Sequence, residues 1–167
     1  IRRPPRSTRN ESSAASDVYK RQNLFCISLF TSPVVFILRD SRTECESFTS
    51  EFLDALYSFE AGPVLFKPTK CAVEQFRPSK DEAKSYFIAG DNRACNEDKG
   101  FAINPWTKVR FENAGMILEE NRAIAMGNYF FTDLDGNEAK VEYTFGYKLS
   151  NGQLKIDLHH SSFPYNP

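Results

Sequence analysis

The residues best suited to chemistry at a single point are His159-His160-Ser161-Ser162, near the C-terminal end, and they include both histidines of the chain. Imidazole has its ordinary pKa nearest neutrality, and a hydroxyl beside it both donates and accepts. Such a pair can hold an anionic oxygen or relay a proton. Strand neighbours point to opposite faces, so the run sorts into His159 with Ser161 and His160 with Ser162. The two histidines therefore cannot share a metal ion unless the strand bulges. No HExxH and no third histidine complete a zinc site, and Cys26, Cys45, Cys71 and Cys95 show no CxxC or finger spacing. No GxSxG elbow accompanies the serines, which weakens a Ser-His-Asp triad. The loop holding Asp91, Glu97 and Asp98 lacks EF-hand spacing and reads as solvated. The plain alternative for the histidine-serine run is a set of ordinary polar groups, solvated or satisfied in the core.

That run closes the last strand of what reads as one α+β domain. Thr43-x-x-Glu46 has the form of a capping box, and Phe48, Phe52, Leu56 and Phe59 recur at helical spacing before Gly62-Pro63. A short apolar run follows at 64–66, and 73–76 reads as a short strand. Ser79-x-x-Glu82 opens a second, shorter helix that ends at Gly90. Strands follow: 106–111 with Thr107, Val109 and Phe111 on one face, then 117–120, then 123–133. The turn 134–137, with its Asp135-Gly136, leads into a strand with Val141, Tyr143, Phe145 and Tyr147 on one face. Asn151-Gly152 turns into a last strand in which Leu154, Ile156 and Leu158 alternate with Lys155 and Asp157. Helices first and an antiparallel meander after them give α+β rather than α/β. A twisted meander curls, and a long helix packed into its concave face makes a cone with a pocket inside.

The chain has 167 residues, 41% of them hydrophobic, and a net charge of -1, enough for one domain with extensions. This balance gives no electrostatic reason to expect nucleic acid or an anionic membrane as partner. A core of this size argues against a disulfide scaffold, although one bridge between Cys71 and Cys95 stays open for an oxidising compartment. Residues 1–22 are polar and rich in Arg and Ser, the composition of a disordered tail. The string also resembles the translation of a sequencing adapter, and we expect it to be an artefact. The apolar run 24–38 is shorter than the roughly 20 residues of a transmembrane helix and suits a signal-peptide core, with a core strand or helix as the alternative. On this reading 23–40 is a truncated targeting segment and the domain occupies 43–167. The expected location is then an organelle such as a plastid, or a secreted or periplasmic space, with no membrane contact by the mature domain.

Several strings carry more than pattern. VLFKPTK (64–70), VEQFRPSKDEAKSYFIAGD (73–91), DKGFAINPWTKVRFEN (98–113), AMGNYFFTDLDGN (125–137), VEYTFGY (141–147) and LHHSSFPY (158–165) together resemble the iota class of carbonic anhydrases. That class is similar to the association domain of calcium/calmodulin-dependent protein kinase II, within the NTF2-like (SnoaL-like) superfamily. The resemblance implies a cone with a long N-terminal helix on a strongly curved antiparallel sheet. It implies reversible hydration of CO2 to bicarbonate, metal-free, with zinc or manganese kept as alternatives. In that family a Thr, a Tyr and a Ser in the cone hold bicarbonate and a water, with a His close by. They fall on Thr69 and Tyr86, and on either Ser161 with His159 or Ser162 with His160. The first pair fits the spacing back to Tyr86 without a gap. The alternation of Leu154, Ile156 and Leu158 instead puts His160 on the apolar face, and a pocket can open on either. The chain departs from the common family wording at Ser79 and Phe163, both conservatively.

Bound zinc lowers the pKa of water to about 7, and three neutral hydroxyls do not obviously replace it, so modest turnover is expected. The resemblance also implies a homo-oligomer, a dimer or larger. Two competing readings remain at this level. One is a non-catalytic association module that meets its copies through exposed apolar groups such as Trp106. The other is a different NTF2-like enzyme, an isomerase or dehydratase with Asp157 as a carboxylate base.

Overall fold

A computed structural model describes residues 42–104 and 106–167. The segments 1–22 and 23–40 lie outside the described residues. Helix α1 (Arg42–Leu56) comes first, then a 3-10 turn (Phe59–Ala61) and strand β1 (Leu65–Lys67). Helix α2 (Lys80–Ile88) precedes four long strands: β2 (Lys108–Leu118), β3 (Arg122–Thr132), β4 (Glu138–Ser150) and β5 (Gln153–Ser162). They form one sheet of order β1-β5-β4-β3-β2, with β1 parallel to β5 and every other pairing antiparallel.

The α1 stripe buries Phe52, Leu53 and Leu56 against the sheet. Thr43 is not its cap, because the helix already includes Arg42, whose Nε lies 2.9 Å from Glu46 Oε1. The second expected capping box is present: Glu82 N–H donates to the Ser79 hydroxyl, and the Glu82 carboxylate accepts from Ser79 N–H. Residues 73–76 are not a strand. Glu97 accepts from the N–H groups of Ala72 (2.8 Å), Val73 (3.2 Å) and Glu74 (2.8 Å), so this backbone is satisfied as a turn and needs no sheet partner.

The two strands expected at 106–111 and 117–120 are one, β2, interrupted by a register shift between Asn113 and Gly115. Strands β3 and β4 alternate cleanly. Ala123, Ala125, Tyr129 and Phe131 face inward from β3, and Val141, Tyr143, Phe145 and Tyr147 from β4. Asn151 and Gly152 both have positive φ, 49° and 75°, as a two-residue hairpin turn requires.

The feature that decides the site is a second bulge. Gly146 pairs with Leu158 and Tyr147 with Ile156, so Asp157 is an extra residue on β5. A bulge bends its strand and breaks the two-residue period. Ile156 points inward before it, and His159 and Ser161 point inward after it, at 1%, 4% and 2% exposure. Extrapolating the apolar alternation to His160 therefore fails at Asp157.

Candidate active site

Six side chains from five elements meet on the sheet's inner face. The Tyr57 hydroxyl, just beyond α1, lies 2.8 Å from His159 Nδ1. His159 Nε2 lies 2.8 Å from Ser161 Oγ, two residues along β5. The Ser161 hydroxyl bonds that of Tyr129 on β3. Thr69 stands beside the Tyr129 phenol and that of Tyr86 on α2, and the Lys70 backbone also reaches Tyr86, each favouring the ionised phenol against burial. The result is a hydrogen-bonded chain, Tyr57–His159–Ser161–Tyr129, with Thr69 and Tyr86 beside its Tyr129 end. His160 is exposed, and Ser162 binds the Glu142 carboxylate at 3.1 Å on the outer face.

The chain is neutral throughout near pH 7. His159 is stacked between Phe66 (4.6 Å between ring centres) and Phe145 (4.4 Å). Burial, aided by the nearby charge of His160, pushes its pKa down to about 3. Burial pushes the Tyr86 and Tyr129 phenols well above their ordinary range, opposed by their hydrogen bonds to Thr69. No carboxylate belongs to the chain. The cluster can therefore donate and accept hydrogen bonds, but it is not built to carry charge itself.

A cavity of about 800 Å³ is lined by Thr69, Lys70, Cys71, Tyr86, Lys99 and Phe101, among others. Thr69 and Tyr86 form its floor, and Ser161 and His159 lie behind them, almost fully buried. The loop carrying Thr69 is braced by a buried ion pair. Arg77 is fully enclosed, 3.0 Å from Asp98, and Asp98 also accepts from the Ser85 hydroxyl at 2.6 Å.

Three other expectations change. Trp106 is not an exposed docking group: it is 7% exposed, packs on Phe101 and Phe131, and its Nε1 donates to the Phe101 carbonyl at 3.0 Å. Asp157 is not a pocket base: it sits in the bulge and pairs with Arg122 at 2.9 Å, outside the cone. Cys71 and Cys95 are both buried free thiols. Among the described residues no group of three or more His, Cys, Asp and Glu is placed to hold a metal ion.

Sequence reasoning missed Tyr57 and Tyr129. Tyr57 falls off the Phe48-Phe52-Leu56-Phe59 stripe, and Tyr129 reads as one more inward aromatic of β3. The available signal is the phenol itself. A Tyr rather than a Phe at a fully inward position needs a hydrogen-bond partner inside.

The model of a family described as metal-independent carbonic anhydrase matches residues 17–163. A metal-independent carbonic anhydrase of Nostoc sp. (strain PCC 7120) is 39% identical over 126 residues, which are 74% of this chain and 61% of that protein. This chain thus spans about three fifths of that relative's length. The crystal structure of a cyanobacterial iota-carbonic anhydrase complexed with bicarbonate superposes with a TM-score of 0.73 at 30% identity, covering 100% of both chains. A protein assigned as a calcium/calmodulin-dependent protein kinase II association domain, from Xanthomonas campestris, gives a TM-score of 0.51 at 25% identity over 71% of this chain and 76% of its own.

Proposed function

Since this chain belongs to the metal-independent carbonic anhydrase family and has the NTF2-like fold, we propose that it interconverts CO2 and bicarbonate in the cone, without metal. The observation that carries this reading is the neutral cluster of hydroxyls and imidazole that meets the cavity at Thr69 and Tyr86. Hydration of CO2 puts negative charge on the carbonate oxygens. Hydrogen-bond donors held close to those positions stabilise that charge. Thr69, Tyr86 and Ser161 are our candidates for those donors. Their hydroxyls now satisfy one another, and a bound anion would replace those mutual bonds.

The proton released when water adds to CO2 needs a taker. His159 is a poor one, because burial holds its pKa far below neutrality. Solvent water in the open cavity takes the proton instead, and His159 serves as a hydrogen-bonding link. Without a base near pH 7 or a Lewis acid, turnover is modest.

The test is a CO2 hydration assay on the purified chain, with and without chelator. Activity above buffer that survives chelation is expected. Thr69→Val, Tyr86→Phe and Ser161→Ala should each lower kcat/KM by about 100- to 1000-fold, the effect of deleting one oxyanion donor. A rate equal to buffer, or full activity in all three variants, would refute the proposal.

We also propose that the chain self-associates. The likeness to an association domain supports this, together with outward apolar groups on β2 and β3: Ile117, Ile124 and Met126 are 62%, 39% and 56% exposed.

A further inference from the structure

Tyr57 belongs to none of the elements that carry the other hydroxyls. It follows α1 directly: its N–H donates to the Leu53 carbonyl at 2.9 Å, and it bridges to Ile156 on β5. Its ring is fully buried and stacked on Phe59 at 5.6 Å. That packing fixes where its hydroxyl ends, 2.8 Å from His159 Nδ1. On the other side of the imidazole, Nε2 lies 2.8 Å from Ser161 Oγ.

A neutral imidazole has one N–H and one bare nitrogen. The two contacts of His159 therefore have a fixed relation: if the ring accepts at Nδ1, it donates at Nε2, and the reverse. The enclosing Phe66 and Phe145 rings keep it out of the doubly protonated form. Phenol O–H is a stronger acid than neutral imidazole N–H, and bare imidazole nitrogen is a stronger base than phenol oxygen. The O–H···N arrangement at Nδ1 is the favoured one.

We propose that Tyr57 is a positioning residue: its hydroxyl donates to Nδ1, holds His159 as the Nε2–H tautomer, and so makes Ser161 a hydrogen-bond donor to the substrate oxygens. In that tautomer the Ser161 oxygen accepts from Nε2–H, and its own proton is directed to the Tyr129 hydroxyl until a substrate oxygen takes that place. With the opposite tautomer, the serine O–H would donate to Nε2, and Oγ would face the cone as an acceptor suited to a water proton. One phenol at the end of a helix thus decides whether Ser161 works as an anion donor or on the attacking water. The role assigned to Ser161 rests on the carbonic anhydrase reading; the tautomer of His159 does not.

The chain has two histidines, so nitrogen-15 NMR of the full protein shows two imidazoles, told apart by a His160→Gln variant. The expected wild-type result is a protonated Nε2 and a bare Nδ1 on His159. Tyr57→Phe keeps the ring and its stacking but removes the donor. It should shift His159 to a mixture of tautomers and lower kcat about 5- to 10-fold, as loss of one buried hydrogen bond does. KM should change little, because the lost interaction acts on developing charge. An Nδ1–H tautomer in the wild type overturns the proposal. So does a Tyr57→Phe protein with an unchanged tautomer, whatever its activity. If the wild type hydrates no CO2, the functional reading fails on its own, and the NMR result still decides the tautomer.

Discussion

His159 has exchanged solvent for two aromatic faces, and its stability cost can be measured. In the unfolded chain this imidazole takes a proton near pH 6.5, whereas in the folded chain burial delays it to about 3. The unfolded state therefore binds more protons between those values, and stability falls as pH drops through the window. Glu97 and Asp133, whose carboxyls are held below their ordinary values of 4.5 and 3.8 by hydrogen bonds, begin to act only lower down. Between pH 6.5 and 5, His159 dominates, and linkage gives a loss of about 1.5 kcal/mol. Urea unfolding at both pH values should show that loss in the wild type and little of it in His159→Asn. Equal slopes in the two proteins would mean that the imidazole is hydrated in the folded state. At this scale the sequence was partly legible. The chemistry of His-Ser at a strand end was visible, and family strings supplied Thr69 and Tyr86. Tyr57 and Tyr129 were not visible, because a buried phenol in an aromatic-rich stripe looks like packing until its hydroxyl partner is known.

Elements were legible wherever one period ran unbroken, as in β4, and illegible where a bulge interrupted it. The extra residue at Asp157 has no composition signature of its own, yet it reverses which histidine enters the cone. Its nearest sign lies across the ladder. A Cβ on Gly146 would come within 2.8 Å of Leu158 Cβ and 3.2 Å of Asp157 Oδ1, so the bulged strand passes where any other side chain would stand. Gly146→Ala forces β4 and β5 apart next to His159. We expect a loss of about 1–3 kcal/mol of stability, typical of overpacking, and lower activity because Ser161 shifts. The bulge on β2 provides the comparison, since a Cβ at Gly115 meets nothing within 4 Å. Gly115→Ala should leave stability and rate near the wild type. Equal denaturation midpoints for the two variants would show that the close approach at Gly146 does not hold the bulge.

Across the whole molecule, the sheet separates two jobs by face. Its inner side carries the hydroxyl chain, and its outer side carries Ile124 and Met126 from β3, with Ile117 paired to Ile124 from β2. Scattered exposed apolar residues need no explanation, but neighbours on adjacent strands form a patch. Polar groups border it: Thr144 lies across the ladder from Met126, and His160 lies across from Thr144. An apolar centre with a polar border is the anatomy of a protein interface. A second copy of the same chain can cover the patch by two-fold symmetry, since each copy presents the same surface. Because strand neighbours face opposite ways, a change at Ile124 alters this surface without entering the cone. Light scattering at micromolar concentration should give a dimer or larger for the wild type and a monomer for Ile124→Lys, with CO2 hydration per chain retained. A monomeric wild type, or an assembly indifferent to Ile124→Lys, would place the contact elsewhere or remove it. Loss of both assembly and activity would contradict the separation of faces, because the inner site would then depend on the neighbour that covers the outer one.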